Sequence, residues 1–219
     1  MTAPAITVRT DLAVRVKYVL DRLMAAPLLV LLSPLAVAIA IAIRRGDGGP
    51  SLFVQWRPGL AGRPFRCYKF RTMLVDADRH VDAAGRPTRD RTTRLGKWLR
   101  RTSLDELPQL LNVLRGDMSL VGPRPPMMDH LLRYSTEQMQ RFRMKPGLTG
   151  LAQIRGRNML PWSKRIELDN EYIDNFSLWR DLTILLRTVS VVLRREGIAV
   201  DRNPEQVDDL PPKRDSATC

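Results

Sequence analysis

The sequence predicts an α+β fold. It reads as a mostly helical, membrane-associated domain with one small β-hairpin and an N-terminal re-entrant membrane helix. Three observations predict it. An uncharged apolar run, Met24 to Ile43, is long enough to enter a bilayer. One pair of short strand-like segments flanks a Pro/Gly-rich turn. Several later segments carry apolar residues at helical spacing.

The apolar run comes first. Its middle is Ser33-Pro34, and Pro34 removes an N–H and clashes with the carbonyl of Val30. A serine hydroxyl can compensate a carbonyl freed in lipid. The flanks are basic on both sides, with Arg15, Lys17 and Arg22 before and Arg44 and Arg45 after, so the positive-inside rule gives no asymmetry. A hairpin that bends at Ser33-Pro34 and returns to the same face satisfies both features. An ordinary kinked transmembrane anchor is the competing reading. Arg44-Arg45 follows the run where a signal peptide would have small residues, so the segment is expected to be retained.

Beyond the run, strands are expected near Leu52–Trp56 and Phe65–Phe70, and a polar loop over Val75 to Arg94. Leu107, Leu110, Leu111 and Leu114 share a helical face, with Gly116 placed to end that helix. A further helix is expected from Asp129 to Met144, then a short strand or loop in "GLTGLAQIRGR". Two more helices follow in "SKRIELDNEYIDN" and "WRDLTILLRTVSVVLRREG". The segmentation is therefore an interfacial segment over 1–22, a re-entrant helix over 23–45 broken at Ser33-Pro34, a cytoplasmic domain over 46–202, and a polar, disordered tail over 203–219.

The net charge of +13 fits nucleic acid, anionic lipid or anionic small substrates. Nucleic-acid binding would want basic residues interleaved with aromatics, which are only 6% of this chain and scattered. The two cysteines, Cys67 and Cys219, have neither metal-site nor disulfide spacing. There is no glycine-rich phosphate loop.

What remains is one carboxylate pair, Asp105-Glu106 in "TSLDELPQ". Ser103 and Glu106 have capping-box spacing, which gives the pair a purely structural explanation. Against it, Pro108 falls just past the tolerated first position of a helix. The functional explanation is an ionised aspartate at a phosphate-attracting helix start, a known kind of covalent nucleophile. Around it in sequence lie Lys69 and Arg71, alternating at the end of a strand, Arg100 before the pair, Arg124 between two prolines, and Arg157 after Gly156.

The stretches "KFRTM", "LRRTSLDELPQLLNVLRGDMSLVGPRP", "PGLTGLAQIRGRN" and "ELDNEYIDNFSLWRDLTILLRTV" follow the apolar segment in that order. In this the chain resembles the bacterial sugar transferases, the monotopic polyprenyl-phosphate phosphoglycosyl transferases in their minimal form, from about Tyr18 to Gly197. The resemblance implies a catalytic domain on the cytoplasmic face of the bacterial inner membrane and a re-entrant helix. It implies transfer of a sugar phosphate from a nucleotide sugar, usually UDP-linked, first to an aspartate with release of UMP. Polyprenyl phosphate, usually undecaprenyl phosphate, then takes it in the first membrane step of glycoconjugate or polysaccharide synthesis. It further implies Mg²⁺ as cofactor, Asp105 as nucleophile and metal contact, and Glu106 as its catalytic partner. Lys69, Arg71, Arg100, Arg124, Arg157 and Asp169 match motif positions as site lining. Expected partners are the nucleotide sugar, polyprenyl phosphate and membrane lipids, with downstream glycosyltransferases also allowed and nucleic acid not expected. Many members carry Trp after "TG" where this chain has Leu151, a change expected to bear on nucleotide or sugar contacts. The alternatives from other classes are a membrane-tethered basic nucleic-acid binder, which leaves the Asp-Glu motif unexplained, and an inactive scaffold, which should have lost it.

Overall fold

The structure is a computed structural model, and it describes residues 6–80, 88, 90–156, 159–194 and 208–211. It is mixed in class, with helices dominant over two small sheets.

Helix α1 runs from Leu12 to Asp47. Asp11 caps its start, accepting from the Val14 N–H, and Gly48 ends it in a left-handed conformation at φ 72°. The helix therefore begins well before the apolar run. It also stays helical through Ser33-Pro34, where the sequence predicted a break. The local chemistry explains the continuity. Ser33 Oγ donates to the Val30 carbonyl at 2.8 Å, the very acceptor that Pro34 leaves without an N–H partner. This is the one helix among the described residues that is long and apolar enough to cross a membrane, and little of its most apolar stretch is covered.

One stripe of α1 packs on the rest of the molecule. Val14, Ala25, Leu29 and Leu32 join the main core with Leu110, Val113, Leu120, Tyr172 and Ile184. Ala36, Ile39, Ala40 and Ile43 continue the stripe into a second cluster with Phe70, Leu99, Leu104 and Leu107. The spacing of three or four residues keeps the stripe on one face throughout. Outside it, Leu23, Val30, Leu31 and Val37 stay exposed.

Strands β1 (Leu52–Pro58) and β2 (Pro64–Phe70) form an antiparallel hairpin in which Leu52 pairs with Phe70 and Pro58 with Pro64. Helix α2 (Arg94–Thr102) follows, then a 3-10 turn over Leu104–Glu106 and helix α3 (Gln109–Arg115). Gly116 at φ 87° ends α3, as its position in the sequence predicted. Strands β3 (Ser119–Val121) and β4 (Gly147–Thr149) pair in parallel. Helices α4 (Leu151–Arg155), α5 (Trp162–Asp174) and α6 (Leu178–Arg194) complete the fold.

Two expectations need correction. The segment from Asp129 to Met144 is not one helix but two 3-10 segments, Met128–Arg133 and Gln138–Arg143. Its periodicity is overridden by contacts made away from the helix axis: Tyr134 and Phe142 enter a core with Ile166, and Arg141 is fully buried. The tail is not wholly free, because residues 208–211 dock. Asp208 pairs with Arg133 at 2.6 Å, and Leu210 is buried beside Tyr134 and Phe142. The remaining tail residues, and part of the Val75 to Arg94 loop, lie outside the described residues. Leu151 is buried in the main core.

Candidate active site

The Asp105-Glu106 pair is held between α2 and α3. Ser103 ends α2 with a left-handed backbone, φ 58°, which costs a non-glycine residue on the order of 1–3 kcal/mol. That reversal puts Asp105 and Glu106 in the 3-10 turn rather than in the first turn of a longer helix. Ser103 makes no side-chain cap there, so the capping box that the spacing suggested is not formed. Pro108 sits just before α3, where a missing N–H does no harm. The apparent fault in the sequence is thus the start of a second helix.

The turn is registered to the hairpin by a buried amide. Asn112 on α3 donates from Nδ2 to the Arg66 carbonyl at 2.6 Å and accepts the Tyr68 N–H at 3.1 Å. On the other side, α2 touches the chain after β2 at Gly96. A Cβ there would lie 2.0 Å from the Thr72 carbonyl oxygen. Only glycine permits this approach, and it lets Arg100 Nε donate to Thr72 Oγ1 at 2.9 Å.

Glu106 is clamped by two cations. Lys69 Nζ lies 2.8 Å from Oε1, Arg124 Nη2 lies 2.6 Å from the same oxygen, and Arg124 Nη1 donates to Oε2 at 3.3 Å. Burial pushes the Glu106 carboxyl up, but Arg124 and Lys69 outweigh it and hold it well below the usual carboxylate range. Asp105 is the opposite case. It accepts no hydrogen bond among the described residues. Burial, reinforced by the neighbouring Glu106 charge, pushes its carboxyl up to about 6 against the pull of Lys69, Arg124 and Arg100. Two adjacent carboxylates therefore have opposite environments, the pattern by which acid/base and nucleophilic roles are separated.

Asp169 does not line this cluster. It is buried in an ion pair with Arg141, and burial pushes its carboxyl up to about 6 in spite of that pair. Arg141 in turn donates to the Arg124 carbonyl at 2.9 Å and to Tyr134 OH at 2.8 Å. Asp169 thus acts through Arg141 on the backbone that presents Arg124. Arg71 is also elsewhere. β2 ends at Phe70, so the strand alternation that would align Arg71 with Lys69 stops one residue short. Arg71 instead grips Asp47 at the end of α1 and the Pro50 carbonyl, at 2.6 Å for each. Arg157 lies outside the described residues.

Two contributors escaped sequence reasoning. Arg57 on β1 and Gln109 on α3 line a small pocket with Cys67, Lys69, Arg124 and Pro125. Arg57 could have been found only from the hairpin register, because strand alternation puts it on the face of Lys69 once Phe53 is known to oppose Lys69.

A surplus of cations around one tied and one untied carboxylate, beside an uncovered apolar helix, suits phosphate chemistry at a membrane. The bacterial sugar transferase family model matches residues 12–195. The chain belongs to the bacterial sugar transferase family. Its matched span takes in α1, the hairpin and every residue of the cluster. The sugar transferase EpsL of Bacillus subtilis, named as uncharacterised, is 49% identical over 177 residues, covering 80% of this chain and 87% of its own length. A UDP-glucose:undecaprenyl-phosphate glucose-1-phosphate transferase of Caulobacter vibrioides is 48% identical, covering 83% of this transferase and 71% of its own length. The undecaprenyl-phosphate galactose phosphotransferase of Salmonella typhimurium is 42% identical over 78% of this transferase, which spans only 39% of that longer protein.

Proposed function

We propose that this sugar transferase is a phosphoglycosyl transferase that moves a sugar 1-phosphate from a UDP-sugar to undecaprenyl phosphate, through a covalent intermediate on Asp105. The general reaction is that of the Caulobacter and Salmonella relatives. The observation that carries the covalent step is the contrast within the pair: Glu106 is held by two cations, while Asp105 is shielded, raised in pKa and tied to nothing among the described residues.

The proposed steps use that geometry. An Asp105 carboxylate oxygen attacks the phosphorus bonded to the sugar. The bond from that phosphorus to the bridging oxygen breaks, and UMP leaves with the electron pair. An oxygen of the lipid phosphate then attacks the same phosphorus, the bond to Asp105 breaks, and the carboxylate is restored. Glu106 keeps Lys69 and Arg124 in place beside the phosphates, and the cations stabilise charge where it develops. At neutral pH an Asp105 group with a pKa of about 6 is mostly ionised and still nucleophilic.

Asp105 offers a hard, unshared carboxylate oxygen, which suits Mg²⁺ bound through one or two carboxylates and completed by substrate phosphates. Bound there, Mg²⁺ would neutralise phosphate charge. Arg100 and the proline-flanked Arg124 are assigned to phosphate contact, and the reading extends to Arg157.

The membrane assignment keeps both ends of α1 and the catalytic domain on the cytoplasmic face of the inner membrane, with α1 lying along the domain rather than crossing the bilayer. Its support is the packed stripe of α1. Residues before Pro34 (Leu29, Leu32) and after it (Ala36, Ile39, Ile43) all touch the same domain. A helix perpendicular to the bilayer could not keep both halves against a domain on one side. Cysteines placed near Arg15 and Arg45 should both resist membrane-impermeant reagents from outside the cell, and labelling at either would sink the topology.

The decisive experiment omits the lipid. Purified protein given UDP-sugars and Mg²⁺ should release UMP and gain the mass of one sugar phosphate on the peptide bearing Asp105. UMP release that begins only when undecaprenyl phosphate is added, with no adduct, would replace the covalent mechanism with direct transfer. A panel of UDP-sugars in the same assay would name the donor.

A further inference from the structure

We infer that Arg57 binds the phosphate adjoining the nucleoside, so that it holds the leaving group rather than the phosphorus under attack. This rests on the covalent reading above and deepens it.

The placement begins with the hairpin. In β1 and β2, Gln55 opposes Cys67, Arg57 opposes Phe65 and Phe53 opposes Lys69. Alternation puts Gln55, Arg57, Cys67 and Lys69 on one face of the two-stranded sheet. That face meets the loop carrying Arg124, and Arg57, Cys67, Lys69, Gln109, Arg124 and Pro125 enclose one pocket. Three cations from three chain segments thus converge on a single space.

Two of the three have a carboxylate. Lys69 and Arg124 share Glu106. Arg57 has none among the described residues. Its Nη2 donates to Gln55 Oε1 at 2.6 Å and its Nη1 to the Pro125 carbonyl at 3.4 Å, both neutral acceptors. These two bonds fix the guanidinium without neutralising it. A half-buried cation beside a second arginine is costly unless an anion completes the site. Burial and the nearby Arg124 both push the Arg57 pKa down, which agrees with that surplus.

The order of residues selects which phosphate. Arg57 lines its pocket with Lys69 and Arg124, and Asp105 is not among the lining residues. Lys69 and Arg124 in turn hold Glu106, the chain neighbour of Asp105. Arg57 therefore lies one step beyond Lys69 and Arg124 as seen from the nucleophile. A diphosphate whose attacked phosphorus sits at Asp105 would reach Arg57 with its other phosphate. A planar guanidinium suits that task, since it engages phosphate oxygens bidentately.

The test separates the two half-reactions. In Arg57→Gln, the KM for UDP-sugar in adduct formation should rise on the order of tenfold to a hundredfold, as for loss of a hydrogen bond to a charged group. Binding of UMP to the whole enzyme in detergent, measured by calorimetry, should weaken by a similar factor. Discharge of preformed adduct to undecaprenyl phosphate should change less than about twofold. Arg57→Lys, which keeps the charge but not the fork, should fall between the two. Unchanged KM and UMP affinity in Arg57→Gln would overturn the assignment. So would a slowing of discharge equal to that of adduct formation, because Arg57 would then serve the attacked phosphorus. If Arg57→Gln fails to fold, the same criteria apply to Arg57→Lys. Absence of adduct in the unmutated protein would instead refute the covalent reading itself.

Discussion

Two clusters of acids and cations in this molecule look alike in composition and behave differently. One joins Lys17 and Asp21 on α1 to Asp181 on α6. Lys17 Nζ lies 2.5 Å from Asp181 and 3.3 Å from Asp21. Tyr172 OH donates to Asp181 at 2.6 Å, and Ser119 Oγ donates to Asp21 at 2.5 Å. All three charged groups are buried, and each finds its partners within the network. The other cluster surrounds Asp105 and Glu106, where Asp105 is left without a hydrogen bond and Arg57 without a carboxylate among the described residues. The completed network fastens α1 to the domain. The incomplete one leaves Arg57 with neutral acceptors only, and the partner that a cation lacks is an anion.

The sharpest way to separate the two is Asp105→Asn. The site should lose adduct formation and turnover by on the order of 10⁴-fold or more, since a carboxamide cannot form the acyl phosphate. Circular dichroism should be preserved, and the unfolding midpoint should not fall. Near-normal turnover in a folded variant would reduce Asp105 to a structural residue. The converse change is Lys17→Met, which leaves Asp21 and Asp181 buried with no cation. It should cost about 3–5 kcal/mol in denaturant unfolding. The folded fraction should retain its KM for donor. A shift in KM larger than the loss of folded protein explains would show that the network reaches the active site.

A smaller effect is expected from Arg124→Lys. Lysine keeps a charge near Glu106 but loses the two-nitrogen contact, so turnover should fall about tenfold or more. Activity close to that of the unmutated enzyme would leave Arg124 only a structural partner of Glu106. The smallest contrast is in pH. Turnover should rise with pH to a plateau as Asp105 loses its proton, since burial and the Glu106 charge raise it above an ordinary aspartate. Its effect on stability has the opposite sign. The folded value is raised above the 3.8 of an ordinary aspartate, so the unfolded chain ionises first as pH rises. Stability should fall between about 4 and 6 and then level off. Asp105→Asn should remove that decline, and an unchanged stability profile would remove the case for a raised pKa.

Much of the site was legible because it lies in continuous sequence. Asp105-Glu106, Lys69, Arg100 and Arg124 were all named from local pattern, and the structure brings Lys69 and Arg124 onto Glu106. Arg71 and Asp169 sit in the same motifs yet face other partners. Whether a strand ends at Phe70 or one residue later decides where Arg71 points, and alternation in the sequence does not locate that end. Asp169 is on a helix that sequence spacing found, but its partner Arg141 lies in a segment whose helical pattern was overridden by packing.

The sequence by itself determined the apolar helix, the hairpin, the carboxylate pair, the compensation of Pro34 by Ser33 and the helices α5 and α6. Each depends on residues a few positions apart, where backbone sterics and hydrogen bonding act directly. Tertiary structure alone decided that α1 continues through its proline along one packed face, that Ser103 reverses the chain before Asp105, and that Arg57 shares a pocket with Arg124. It also decided which acid is satisfied and which is free. These outcomes rest on charges and side chains brought together from distant segments, and their energies are set by burial and partner geometry, which appear only once the chain is packed.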